Sequence, residues 1–279
     1  MEGLGARTQN DPAANGRASA PGSPVIDVRG LGKTYSTRNG PVEAVRDTSF
    51  DVRDGEFVAL VGPSGCGKST ILHIVAGLIE RTGGTVEVLG AEAQAGRPDV
   101  GIMLQRPTLL PWRSVLQNVV LPTEMFKVDK AEAQRRAREL LALVGLEGFE
   151  DKHPWELSGG MQQRASLARL LVFEPQILLM DEPFAALDEF TRERLNGELA
   201  DLHETLGRSI LYVTHNIQEA VFLSDRVVVM KPHPGEVLQI VDVDLPRPRR
   251  VELLNEPRTA ELVAKIRQML FKPDATEEK

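Results

Sequence analysis

Nine consecutive residues, Gly62-Pro63-Ser64-Gly65-Cys66-Gly67-Lys68-Ser69-Thr70, constrain this chain more than any others. They follow the apolar run Phe57-Val58-Ala59-Leu60-Val61, which reads as a buried strand, and precede an apolar stretch, Ser69 to Ile79, which reads as a helix. Strand, glycine-rich turn and helix together are the setting a phosphate-binding P-loop needs. The glycines let the backbone curl so that successive N–H groups face phosphate oxygens. The helix beginning there adds the positive end of its dipole. Lys68 is then expected to reach the β- and γ-phosphates of a nucleotide, and the Ser69 hydroxyl to ligate Mg²⁺. Cys66 reads as a neutral loop filler rather than a reactive thiol.

Two further motifs carry acids and a second anion-binding turn. Ile177-Leu178-Leu179-Met180 is an apolar strand ending abruptly in Asp181-Glu182, and the carboxyl ends of such strands are where α/β folds build ligand sites. Asp181 is placed to hold Mg²⁺ through its water shell, and Glu182 to accept a proton from an attacking water. Upstream by 23 positions, Leu157-Ser158-Gly159-Gly160-Met161-Gln162-Gln163-Arg164 opens another helix with a capping hydroxyl and free N–H groups. Alone, it would be only a helix cap.

Composition narrows the class. A length of 279 residues with 42% hydrophobic content suits one sizeable domain with a subsidiary lobe, or two small domains. The formal charge of −7, from 33 basic and 40 acidic residues, offers no general attraction for nucleic acid. The single cysteine cannot form an internal disulfide, which fits a reducing cytoplasm. The longest apolar run, Ile71 to Ile79, is interrupted by His73 and falls far short of the ~20 residues a membrane span needs. Membrane association is therefore expected to go through a partner.

Along the chain, residues 1–24 read as a disordered leader without function, rich in Ala, Gly, Pro, Asn and Ser. Alternation from Val25, through Ser49, Phe50 and Val52, predicts an antiparallel β-subdomain. Residues Val128 to Gly145 predict a helical lobe with Leu140, Leu141, Leu143 and Val144 on its apolar side. Ile177 to Met180 and Ile210 to Val213 read as buried strands of a largely parallel sheet. The expected class is α/β, a P-loop NTPase with a RecA-like core and mostly parallel sheet, an antiparallel β-subdomain and an inserted α-helical subdomain. Its division is 25–104 and 166–241 for core and β-subdomain, 105–165 for the helical subdomain, and 242–279 for a helical tail. In that tail Leu262, Ile266 and Leu270 follow Pro257 at fourfold spacing.

These motifs, in this order, resemble the nucleotide-binding subunits of ABC transporters over about Val25 to Val241. The resemblance places Tyr35 at the adenine-stacking position and Gln105 in the Q-loop as an additional Mg²⁺ ligand. It puts Ser158, Gly159 and Gly160 in the signature, Asp188 in the loop that couples the dimer, and His215 at the switch histidine. Met161 stands where the family usually has Gln, a departure that leaves the serine hydroxyl and glycine backbone contacts intact. It implies Mg²⁺-ATP as ligand and a head-to-tail dimer in which each signature completes the partner copy's site. Glu182 is then the general base, and His215 holds the γ-phosphate and the attacking water in line. It also implies two membrane-spanning permease subunits, an indirect link to a solute-binding protein, and a place on the cytoplasmic face of the bacterial inner membrane.

Leu109, Leu110 and Trp112 lie in an apolar, proline-rich stretch after Gln105 and read as a docking surface, which the resemblance assigns to the permease, or, for Trp112, as core of the helical lobe. The phrases Leu109-Leu110-Pro111-Trp112-Arg113-Ser114-Val115, His233-Pro234-Gly235 and Asp244-Leu245-Pro246-Arg247-Pro248-Arg249 resemble the nitrate, sulfonate and taurine importer branch. Arg247, Arg249 and Arg250 otherwise read as a solvated basic edge. A soluble ABC-type ATPase of DNA repair or translation is the competing class. Such chains generally carry long insertions between P-loop and signature, or tandem domains, whereas Lys68 and Ser158 stand only 90 positions apart and the motifs occur once. A P-loop kinase would have no use for Leu-Ser-Gly-Gly-Met.

Overall fold

The computed structural model describes residues 24–126 and 128–271. The leader expected at 1–24 lies, but for Pro24, outside the described residues, as do the last eight positions of the tail.

Two sheets organise the molecule. Strands β1 (Pro24–Thr37), β2 (Gly40–Arg53), β4 (Gly83–Val88) and β5 (Ala91–Glu92) form an antiparallel sheet in the order β2-β1-β4-β5. The larger, six-stranded sheet runs β10-β9-β3-β8-β7-β6, built from β3 (Phe57–Val61), β6 (Val100–Met103), β7 (Ile177–Asp181), β8 (Ser209–Thr214), β9 (Arg226–Lys231) and β10 (Glu236–Asp242). All its neighbours pair in parallel except β10 on β9. Every residue of β3, β7 and β8 is buried, which is why those segments read as continuous apolar runs rather than alternating ones.

Helices cover both faces: α1 (Lys68–Val75), α2 (Val115–Met125), α3 (Lys130–Leu143), α4 (Gly159–Leu171), α5 (Glu189–Leu206), α6 (Ile217–Leu223) and α7 (Pro257–Phe271). One core joins α2, α3, α4 and α5 to the sheet through Met180, Phe184, Leu195 and Tyr212, and another joins α1 to both sheets. The tail is part of the domain: Leu262 and Ile266 of α7 pack with Ala59, Val61, Val227 and Val229.

Several expectations need correction. Helix α1 stops at Val75 rather than Ile79, because Gly77 takes φ 69° and closes a Schellman turn, with Leu78 N–H donating to His73 O and Gly77 N–H to Ile74 O, both at 2.9 Å. A side chain at Gly77 would meet the Gln94–Ala95 backbone at 2.3 Å. On α3 the buried stripe is Ala133, Ala137 and Leu141, while Leu143 is 60% exposed. Leu141 and Val144 are buried as expected, and alanines complete the face of α3 that meets α2 and α4. Helix α4 runs unbroken through position 165, so the helical lobe and the core share it. The basic edge is also not solvated throughout: Arg249 is only 2% exposed, donating to Ser224 O at 2.9 Å, and burial pushes its guanidinium down to about 10. Arg247 pairs with Glu204 and Asp225, both at 2.7 Å; Arg250 is exposed.

Candidate functional site

The P-loop joins β3 to α1, with Gly65 and Gly67 at φ 81° and 88°, a backbone that side chains rarely adopt. Gly62 and Gly67 also face backbone within 2.8 Å of where a Cβ would stand, at Met230 O and Ala44 O. Lys68 folds over the loop and donates to the carbonyls of Gly62 (2.9 Å) and Pro63 (3.0 Å). Burial pushes the Cys66 thiol above its usual range, so it stays neutral at physiological pH, as a loop filler would. Pro63, Ser64 and Gly65 are exposed at the loop's crest. Tyr35 stands beside the loop, its hydroxyl 3.4 Å from Thr70 Oγ1 and one ring face covered by Lys33 Nζ at 4.9 Å.

Two clusters form at the carboxyl ends of β7 and β8. Ser69 Oγ donates to Asp181 Oδ1 at 2.8 Å, and His73 Nε2 stands 3.8 Å from the other carboxylate oxygen. Burial pushes the Asp181 carboxyl up, while the Ser69 hydrogen bond opposes that shift. A hydroxyl and a carboxylate brought together this way are the hard-oxygen donors that Mg²⁺ prefers, and the set fits that ion. The second cluster centres on Glu182, whose φ of 44° turns its side chain away from that of Asp181 while its N–H donates to Val213 O at 2.9 Å. Its Oε2 lies 3.1 Å from His215 Nδ1 and 3.5 Å from Gln105 Nε2. Three residues separated by up to 110 positions thus meet on one oxygen.

The signature lies elsewhere. Ser158 caps α4, accepting from Met161 N–H at 3.3 Å, and among the described residues no hydrogen bond joins Ser158, Gly159 or Gly160 to the P-loop. The signature instead adjoins Asp188. A Cβ on Gly160 would stand 3.1 Å from Thr191 Cγ2, and Asp188 caps α5 by accepting from Thr191 N–H at 3.0 Å. That backbone donor holds the Asp188 carboxyl below the usual range. Trp112 is 72% exposed and therefore not core, whereas Leu109 packs partly into the main cluster and Leu110 is half-buried.

Residues 45–185 match the family described as ABC transporter. The chain belongs to the ABC transporter family. As a member it is an ATP-binding and ATP-hydrolysing protein with the P-loop NTPase fold. It is 42% identical over 243 residues to the taurine import ATP-binding protein TauB of Rhizobium johnstonii, covering 85% of this chain and 92% of that protein. It is 38% identical to the nitrate import ATP-binding protein NrtD of Synechococcus elongatus, covering 87% and 90% respectively. A solved dimeric bacterial ABC transporter cassette superposes with a TM-score of 0.71 at 34% identity, covering 79% of this chain and all of that one.

Residues to which the sequence alone gives no supporting role hold this ABC subunit's site from behind. Gly235 lies under the P-loop, where a Cβ would stand 2.1 Å from Cys66 O. Gln163, Ser166 and Arg169 of α4 donate to the carbonyls of Gln105, Pro107 and Thr108 at 3.0, 2.8 and 3.0 Å, holding the Q-loop. Their spacing of three was a visible helical signal, but what it faces was not.

Proposed function

We propose that this chain energises an ABC importer of a small solute such as nitrate, a sulfonate or taurine. Two copies would sit on two permease subunits at the cytoplasmic face of the bacterial inner membrane, with a solute-binding protein delivering the solute. The observation that carries the reading is the meeting of Gln105, Glu182 and His215 on one carboxylate oxygen, beside the Ser69–Asp181 pair at the foot of the P-loop. The importer branch is supported by the relatives' names for taurine and nitrate import, and by the shared phrases at 109–115, 233–235 and 244–249. No helix among the described residues is long and apolar enough to cross a membrane, which fits a subunit that reaches the membrane through partners.

The P-loop backbone and Lys68 bind the β- and γ-phosphates, Lys68 exchanging its carbonyl partners for phosphate oxygens, while Tyr35 takes the adenine. Ser69, Asp181 and Gln105 would hold Mg²⁺, which supplies positive charge to the phosphates. His215 orients the Glu182 carboxylate and contacts the γ-phosphate. Glu182 accepts a proton from the water whose oxygen attacks the γ-phosphorus, and the bridging β–γ oxygen leaves with the bonding electron pair as ADP. Because Ser158 and Gly160 stand away from this chain's own P-loop, a second copy would supply those contacts to the γ-phosphate. Release of phosphate removes them and opens the pair.

The docking surface for the permease would combine Trp112 with an apolar groove between α1 and α2, where Leu78 and Met125 are exposed around a cavity of about 210 Å³. The central test is Glu182→Gln, assayed by phosphate release and by size-exclusion chromatography with Mg²⁺-ATP. Gln matches Glu in size but cannot take the proton. ATP binding should survive, turnover should slow about a hundredfold or more, and an ATP-bound dimer should accumulate. Turnover at the wild-type rate would remove Glu182 from the role of base.

A further inference from the structure

Helices α5 and α6 start at the two loops that carry Asp188 and His215, and with Leu254 they line a half-open polar cavity of about 310 Å³. From α6, Glu219 accepts a short hydrogen bond from the Thr214 hydroxyl, which in turn accepts from Asn216 N–H at 3.0 Å. These two bonds bracket His215. From α5, Arg192 donates to Leu187 O at 2.9 Å, the carbonyl immediately before Asp188. Each loop is thus fixed by one charged side chain, and both side chains line the same cavity together with Asn196.

Among the described residues Arg192 Nε and Asn196 Oδ1 are buried without a hydrogen-bond partner, and Glu219 Oε1 is buried with the Tyr212 phenol, which interacts with the Glu219 carboxylate from behind the cavity. Glu219, Asn196 and Tyr212 are 7%, 6% and 0% exposed. Buried polar atoms left without a partner, such as Arg192 Nε and Asn196 Oδ1, would cost ~1–3 kcal/mol apiece if nothing satisfied them. The set mixes donors (Arg192 Nε, and the Tyr212 phenol, which burial keeps protonated) with acceptors (Glu219 Oε1, Asn196 Oδ1). Glu189, Glu193 and Glu219 on the lining disfavour an anion, and among the described residues no group of three acidic, His or Cys side chains is gathered closely enough to hold a metal ion. Water both donates and accepts, and at ~30 Å³ per molecule several fit.

We propose that water bound in this cavity ties the His215 loop to the Asp188 loop, and that Glu219 and Arg192 are positioning residues through which the dimer-facing loop sets the switch histidine for hydrolysis. The inference rests on the ATPase roles proposed above for His215 and Asp188. Neither residue touches ATP; each acts through the loop it pins.

The test is a double-mutant cycle on the full chain with Glu219→Gln and Arg192→Gln, reading kcat, KM for ATP and the thermal midpoint. Gln at 219 can still accept from Thr214 but presents an N–H₂ group to the cavity. Each single variant should lower kcat about tenfold with KM for ATP near wild type, and the double variant should be no slower than the worse single, because both break one network. Losses that multiply to about a hundredfold, or single variants with wild-type kcat, overturn the proposal. Tyr212→Phe, which deletes only a hydroxyl, serves where a charged-site variant fails to fold; it too must lower kcat at unchanged KM, and a wild-type kcat counts against the network. Glu182→Gln run alongside separates the two readings: if it alone abolishes turnover, the ATPase assignment stands and the water link falls.

Discussion

Gly235→Ala is the substitution whose effect follows most directly from the structure. The new methyl would sit 2.1 Å from Cys66 O and 3.0 Å from Ala44 O, both backbone atoms. Gly235 cannot retreat, because its N–H donates to Ala44 O at 3.0 Å while its carbonyl accepts from Arg46 N–H at 2.9 Å and from Thr48 Oγ1 at 3.3 Å. The P-loop must therefore yield, by roughly 1 Å to restore an ordinary contact. Overpacking of this kind costs ~1–3 kcal/mol, which for a domain of this size lowers Tm by about 3–10 °C. The displaced segment is the one whose N–H groups must face phosphate, so the Kd for ATP should rise at least about tenfold, equivalent to ~1.4 kcal/mol. Differential scanning fluorimetry and a fluorescent-nucleotide titration read the two effects separately. Gly83→Ala is the control, since no atom lies within 4 Å of its added methyl and its φ is ordinary. A Gly235→Ala protein with wild-type Tm and wild-type Kd would refute the claim that this turn supports the P-loop.

Lys68→Ala should abolish ATP binding at micromolar nucleotide, since it deletes the cation aimed at the β- and γ-phosphates; near-wild-type binding in a calorimetric titration would count against the assignment. Trp112→Ala should leave the isolated subunit folded, as expected of a side chain 72% exposed, yet weaken attachment to permease-containing membranes by ~2 kcal/mol. Unchanged copurification with the membrane partner would move the docking surface elsewhere.

What the sequence made legible was local. The P-loop, the acidic end of β7 and the capped start of α4 are each a short run whose residue types imply a backbone conformation and a chemistry together. The convergence of Gln105, Glu182 and His215 was legible only through family likeness, because nothing local brings three strand-end loops to one point. Arg249 misled because a run of arginines between prolines gives no sign that one of them inserts beside Ser224 to satisfy its carbonyl. Leu143 misled for the opposite reason: a dense leucine run does not say which member turns inward, and here Leu141 packs beside Ala137 while Leu143 faces out. Gly235 stands in the sequence only as part of a family phrase, and its physical reason is a contact 169 positions away.

The same long-range logic explains how a signal could leave the nucleotide. Helix α4 is capped by Ser158, which in the proposed dimer would face a second copy, and its 13 residues make a strut about 20 Å long. One face of that strut, Gln163, Ser166 and Arg169, is bonded to the Q-loop backbone at 105, 107 and 108. Arg169 has no carboxylate partner among the described residues, and burial lowers its pKa, so its charge is stabilised chiefly by the carbonyls it holds and has no nearby alternative. Thr108, at φ 47°, is kept in a left-handed bend by the same guanidinium, which also contacts its hydroxyl at 3.1 Å. Beyond the bend, the buried Asn118 side chain bonds both the N–H and the carbonyl of Leu110 and the carbonyls of Arg113 and Ser114, fixing the loop that presents Trp112. From signature to exposed tryptophan a helix, a left-handed bend and a loop tied by the Asn118 side chain follow one another. On the roles proposed above, a shift of the Ser158 end on ATP binding would reach Gln105 beside Glu182 and the loop that presents Trp112, because each joint would lose hydrogen bonds if it flexed alone.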